Sequence, residues 1–265
     1  MKYLFTLLLL SFIVQHASSQ TSTGAKTFDP IPSLDLFLCI GQSNMAGRGT
    51  LHVGLMDTLK QVYLLNDICQ FEQAVNPLNK YSTIRKEIAM QQLSPCYSFA
   101  KEMVKETGKP VGLIVNARGG SSIKEWMKGA KENYYGEALK RVHAATKYGQ
   151  IKAILWHQGE ADVCCPEEYR KILTQFVKDL REDLKNPTLF FVAGEVSRWD
   201  WTRNKEGTSH FNQMISSISS FIPYSACVSS IGLTPLKDES DPHFDAESQL
   251  ILGKRYANKI LNSCK

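Results

Sequence analysis

The sequence predicts one α/β domain built on a parallel sheet with helices on both faces. Three observations predict it. Short apolar runs alternate along the chain with longer segments whose apolar residues recur at three- and four-residue spacing, the signatures of buried strands and amphipathic helices. Polar, glycine-rich clusters follow the strands directly, where folds of this kind bind their ligands. Length and composition agree: 265 residues, 43% hydrophobic and 22% charged, suffice for a sizeable core and exclude a disordered or collagen-like chain.

Residues 1–19 stand apart from the fold. Lys2 gives a positive start, residues 4–14 are nearly unbroken apolar sequence, and Ala17-Ser18-Ser19 closes the segment with small side chains. This is a signal-peptide pattern with cleavage after Ser19, so a secreted or periplasmic protein is expected. The apolar run is too short to span a bilayer, so no membrane anchor is expected after cleavage. A Ser/Thr/Gly/Pro linker over 20–33 leads into the domain, 34–265.

Within it, strands are predicted over 34–40, 111–115, 151–156, 188–193 and 225–231, and helices over 97–106, 136–148, 167–184, 208–221 and 245–261. Asp245 is the expected N-cap of the last helix. The charge excludes one class of partner. Lys plus Arg is 31 against Asp plus Glu at 26, a scattered excess of +5 with no basic run interleaved with aromatics, so no nucleic-acid surface is expected. The seven cysteines are Cys39, Cys69, Cys96, Cys164, Cys165, Cys227 and Cys264. An odd number leaves at least one thiol unpaired, and with no CxxC pair no structural zinc site is expected. Nothing in the sequence signals a metal, nucleotide or flavin.

The chemistry lies in the clusters. Gly41-Gln42-Ser43-Asn44-Met45-Ala46-Gly47-Arg48-Gly49 follows the first strand, and Asn116-Ala117-Arg118-Gly119-Gly120-Ser121-Ser122 the second. His157-Gln158-Gly159-Glu160-Ala161-Asp162 follows the third, Gly194-Glu195 the fourth, and Asp241-Pro242-His243-Phe244 precedes the last helix. Ser43 sits in a strand-to-helix turn, which exposes a side chain and aims backbone N–H groups at it. A nucleophilic serine needs a base, an acid to orient the base, and donors for a tetrahedral oxyanion. His243 is the best base. Gly119 and Gly120 let a backbone N–H approach a substrate closely, and the uncharged amide of Gln158 is a further donor. Singly these signals are weak; their order at successive strand ends makes them a constellation.

These segments, above all GQSNMAGRG and HQGEAD, resemble the sialate O-acetylesterase / acetylxylan esterase group. That group includes carbohydrate esterase family six, within the SGNH-type (GDSL-like) hydrolases. The resemblance runs from about residue 34 to residue 261. It implies a three-layer, flavodoxin-like sandwich with about five parallel strands, and a serine esterase that needs no cofactor and removes acetyl groups from carbohydrates. It further implies Ser43 as nucleophile, His243 as base, and an oxyanion hole made by the N–H groups of Ser43 and Gly120 with the Gln158 side chain. One departure concerns the acid. The family spacing Asp-x-x-His points to position 240, which is Ser240. Asp241, two residues before His243, is the expected acid, and Glu195, which matches a strand-end motif of the family, is the alternative.

The remaining polar residues read more plainly. Glu160 and Asp162 are expected to support the Gln158 loop by hydrogen bonds, and His157 to be a packed histidine. His52, His143 and His210 read as surface residues. Arg48 and Arg118 order the site or contact substrate. Trp199 and Trp201, with Arg198 and Arg203 nearby, suit either stacking on a sugar ring or plugging a loop. The expected function is removal of O-acetyl groups from acetylated xylan or a related plant polysaccharide or oligosaccharide. The near alternative is a sialate O-acetylesterase, and the alternative of another class is a non-catalytic glycan-binding module on a degenerate esterase fold.

Overall fold

The computed structural model describes residues 32–199, 201 and 205–263. The expected signal peptide and the linker up to residue 31 lie outside the described residues, as do Arg203 and Cys264. Strand β1 (Leu34–Gly41) is buried at every residue except Asp35, and it divides the interior in two. Leu36, Leu38 and Ile40 enter one core, Phe37 and Cys39 the other. That is why its apolar run is continuous rather than alternating.

On either side of β1 lie β4 (Val111–Ala117) and β5 (Gly149–His157), both parallel to it. Beyond β5 come β6 (Phe190–Gly194) and β7 (Ser225–Val228), also parallel. These are the five expected strands, and renumbered among themselves they run 2-1-3-4-5, the flavodoxin-like order. The sheet is larger than expected. Strand β2 (Val62–Leu65) pairs parallel with β4, and β3 (Phe71–Gln73) pairs antiparallel with β2, giving the order β3-β2-β4-β1-β5-β6-β7. Strands of four and three residues at a sheet edge carry too little periodicity to be read from sequence.

Helices α3 (Tyr134–Ala145), α4 (Pro166–Asp183) and α5 (Lys205–Ser216) cover one face with Ala138, Val142, Leu173, Phe176, Phe211 and Ile215. Helices α2 (Cys96–Thr107) and α6 (Ala246–Ser263) cover the other with Phe99, Met103, Leu252, Tyr256 and Ile260. Their ends follow from local chemistry. Pro166 opens α4, where its missing N–H costs nothing, and Gly108, at a left-handed φ of 67°, ends α2. Asp245 caps α6 as expected, its Oδ1 accepting the Ser248 N–H at 2.8 Å. Helix α5 stops five residues before the expected end, and the chain continues as a 3₁₀ turn (Ile218–Ser220). Buried Arg141 donates to the Leu65 and Asn66 carbonyls at 2.8 and 3.3 Å, satisfying the C-terminal end of β2.

Helices α2 and α6 meet at Gly253, where an added Cβ would overlap Pro95 O and Ser98 Oγ. The contact is sealed by Ser98 Oγ donating to Leu250 O at 2.7 Å. Gly253→Ala gains about 1 kcal/mol of helix propensity, but overpacking of this kind costs about 1–3 kcal/mol, and here the obstacle is backbone. The expected result is a lower thermal midpoint, measured by differential scanning calorimetry; a raised midpoint would show that the two helices can part without cost.

Candidate active site

Strand β1 ends at Gly41, whose φ of 136° suits glycine and whose missing Cβ makes room for the His157 carbonyl at the end of β5. The chain then turns into a single helical turn, α1 (Ser43–Ala46). Ser43 is 5% exposed. Its Oγ lies 3.0 Å from His243 Nε2, and His243 Nδ1 lies 2.6 Å from Asp241 Oδ1. Asp241 and His243 share one short loop. Asp241 Oδ1 also accepts the His243 N–H at 3.0 Å, Leu236 N–H donates to His243 O at 2.7 Å, and Trp199 Nε1 donates to Asp241 O at 2.7 Å. Burial lowers the pKa of His243 and Arg48 lowers it further, while Asp241 opposes both. At neutral pH the imidazole is therefore unprotonated and able to accept the Ser43 proton.

Parallel pairing of β1 with β4, with Gly41 opposite Ala117, brings Gly119 and Gly120 beside Ser43. A Cβ on Gly119 would lie 3.6 Å from Ser43 Cβ, and Gly120 has a left-handed φ of 75°. Among the described residues no backbone carbonyl in these turns accepts the N–H of Ser43 or Gly120. The two N–H groups thus border a cleft of 340 Å³ lined by Gln42, Ser43, Arg48, Lys86, Gly120, Glu160, Trp201 and His243, among others.

Gln158 does not join them. It is fully buried, and its Nε2 donates to Gln42 Oε1 at 3.1 Å, Ser121 O at 3.0 Å and Asp162 Oδ2 at 2.5 Å. The expectation that Gln158 faces an oxyanion is corrected: its amide braces the loops behind Ser43. Gln42 is the hub of that bracing, its Oε1 also receiving the Gly159 and Ala161 N–H groups at 3.4 Å. Glu160 reaches the cleft wall and accepts from Asn44 Nδ2 at 2.6 Å, and burial raises its pKa to about 7.

Glu195, the alternative acid, is turned elsewhere. Arg198 grips both of its oxygens at 2.7–3.1 Å, and Ser229 Oγ and Ser230 N–H donate to Oε2 at 3.1 and 2.8 Å. It makes no hydrogen bond to His243, and Ser240 faces Asp238 instead. His157 is buried, paired with Tyr256 OH at 3.1 Å, and burial lowers its pKa to about 3. Arg118 anchors the loop before α2 through Ile84 O and Arg85 O, whereas Arg48 lines the cleft. Trp199 buttresses the Asp241 loop, and Trp201 borders the cleft. His52, His143 and His210 are exposed. Cys39, Cys69, Cys96, Cys164, Cys165 and Cys227 are all free thiols. Among the described residues no group of three or more His, Cys, Asp or Glu is placed to hold a metal. Sequence reasoning missed Lys86 and Met90, which reach the cleft from an irregular loop carrying no motif.

The family described as carbohydrate esterase, sialic acid-specific acetylesterase, matches residues 33–262. A probable carbohydrate esterase of Arabidopsis thaliana is 30% identical over 255 residues, covering 88% of this chain and 93% of its own. The X-ray structure of an Arabidopsis thaliana protein, 27% identical, superposes with a TM-score of 0.73 over 87% of this chain and 99% of that one. A carbohydrate acetylesterase from Xanthomonas citri shares the fold, with a TM-score of 0.63 at 19% identity over 84% of this chain and 54% of its own.

Glu195→Ala leaves Ser230 N–H and Arg198 without their acceptor but touches neither Ser43 nor His243. The expected loss is about 1–3 kcal/mol of stability, read by urea denaturation, with kcat on an acetate ester within about threefold of the parent. A hundredfold fall in kcat in the folded variant would return Glu195 to the catalytic acid.

Proposed function

The chain belongs to the carbohydrate esterase, sialic acid-specific acetylesterase family, and from that premise we propose that it removes O-acetyl groups from carbohydrates through Ser43, His243 and Asp241. One observation carries the reading: the unbroken line from Ser43 Oγ through the His243 imidazole to Asp241 Oδ1, at 3.0 and 2.6 Å, beside the Gly119–Gly120 turn. Ser43 Oγ attacks the acetyl carbonyl while His243 Nε2 takes its proton. The N–H groups of Ser43 and Gly120 receive the oxyanion. His243 then gives the proton to the departing sugar oxygen, and water, activated by the same nitrogen, releases acetate from the acetyl-serine. Asp241 holds the Nδ1 tautomer and stabilises the imidazolium.

The substrate in this reading is acetylated xylan or a related plant polysaccharide, a choice supported by a cleft that carries Trp201 at its border for a pyranose face. A second reading, O-acetylated sialic acid, is favoured by Arg48 and Lys86, two cations in the same cleft that suit a sugar carboxylate. The segment over 1–19 supports export.

Ser43→Ala should lower kcat on a chromogenic acetate ester by roughly 10⁴-fold with the fold intact by circular dichroism. Turnover at the parental rate would leave a glycan-binding module as the better account. Acetate release from acetylated xylan against O-acetyl sialic acid, in the parent and in Lys86→Ala, separates the two substrates: only an acidic sugar should lose kcat/KM in the variant.

The pH dependence follows from His243. The base works unprotonated, and its pKa is lowered, so kcat/KM should hold as pH falls through the ordinary imidazole value of about 6.5 and decline only below it. Asp241→Asn should lower kcat by roughly 10²–10⁴-fold and move that decline to still lower pH, because the one group raising the His243 pKa is gone. A decline centred above 6.5 in the parent would contradict the assigned base.

A further inference from the structure

Asn44 follows Ser43 directly and is completely buried. All four hydrogen-bonding positions of its amide are filled. Nδ2 donates to Glu160 Oε1 at 2.6 Å and to Pro242 O at 3.2 Å, and Oδ1 accepts from Phe244 N–H and Gln249 Nε2 at 3.2 Å each. Two of those partners have a special position. Pro242 O and Phe244 N belong to the peptide groups immediately before and after the His243 α-carbon. One side chain therefore holds both backbone neighbours of the base, and that side chain is attached to the residue next to the nucleophile.

We infer that Asn44 is a positioning residue that fixes the His243 backbone against the Ser43 turn, and that Glu160 orients it. The inference rests on the esterase reading above. Only an amide of this length fits the role. Pro242 O and the Glu160 carboxylate need a donor, and Phe244 N–H and Gln249 need an acceptor on the same group. Aspartate would set two carboxylates against one another, and alanine would leave all four partners unpaired. Hydrogen bonds from Leu236, Thr234 and Trp199 tie the loop to its own side of the cleft. Among the hydrogen bonds of the described residues, those that span from that loop to α1 are the Ser43–His243 bond and the bonds of Asn44. Glu160 suits the orienting task because it is held on the wall by the Gln42-braced loop and gives Asn44 a strong acceptor.

A positioning role makes two demands that a merely structural role does not. The loss must fall on kcat rather than KM, and it must vanish when the base is absent. In Asn44→Ala, kcat on a chromogenic acetate ester should drop about 100-fold, the cost of misplacing a catalytic group by about an ångström, with KM within about threefold. Added to His243→Ala, the same change should cost less than about threefold, because two residues acting through one step are not additive. Glu160→Ala should lose about 10-fold in kcat, and Glu160→Gln, whose amide oxygen still accepts from Asn44, should recover most of it. These Glu160 variants decide the matter if Asn44→Ala does not fold. Equal losses from Asn44→Ala with and without His243, or no recovery with glutamine, would overturn the inference while leaving the esterase reading standing. Full activity in Ser43→Ala would overturn both.

Discussion

How near β5 can come to β1 governs the whole cleft. The limit is set at Gly41, where any side chain would collide with the His157 carbonyl. Because that position is bare, Gln42 N–H bonds to His157 O at 2.8 Å. The two strands then end level, with Gly41 opposite His157 on one side and Ala117 on the other. From this closeness the rest follows. The loop after β5 folds around Gln42, which gathers three N–H groups onto one oxygen. Ser43 emerges between two strand ends, at the point where the chain order of the sheet reverses direction, and that crevice is where open α/β sheets bind ligands.

A second theme is the treatment of charge. Behind Ser43 the loops bury two carboxyl groups and an imidazole, and burial works against the charged form of each. Burial raises Glu160 to about 7, raises Asp162, and lowers His157 to about 3. Nearer the solvent the charges are fixed and positive, at Arg48 and Lys86. A substrate thus meets a cationic border over a wall held together by hydrogen bonds rather than ion pairs. The strong ion pair, Glu195 with Arg198, is kept away from the base.

The frame and the residues that meet at the cleft were legible in the sequence, because both leave marks of the right length. Five apolar strands, a polar cluster after each of the first four and another before the last helix could be read without coordinates, as could Asp241 beside His243. What stayed hidden depended on neighbours distant in sequence. Gln158 has the chemistry of an oxyanion donor, and only the folded arrangement of Ser121, Gln42 and Asp162 around its amide turns it inward. Glu195 sits at the right strand end, yet Arg198, three residues later, takes both of its oxygens. Asn44 was written into the same motif as Ser43, but its partners are at positions 160, 242, 244 and 249. The short strands β2 and β3 and Lys86 belong to a stretch with no periodicity at all.

That stretch has its own consequence. Ser43 sits on a turn fixed by the central strands and His243 on the loop before α6, whereas Lys86 and Met90 come from the excursion between β3 and α2. This excursion is fastened to β4 by Asn79, bonded to Ala117, and by Asn116, bonded to Thr83. Its tip is exposed and carries no weight for the core. Evolution can therefore lengthen it or change its charge while Ser43 and His243 stay in place.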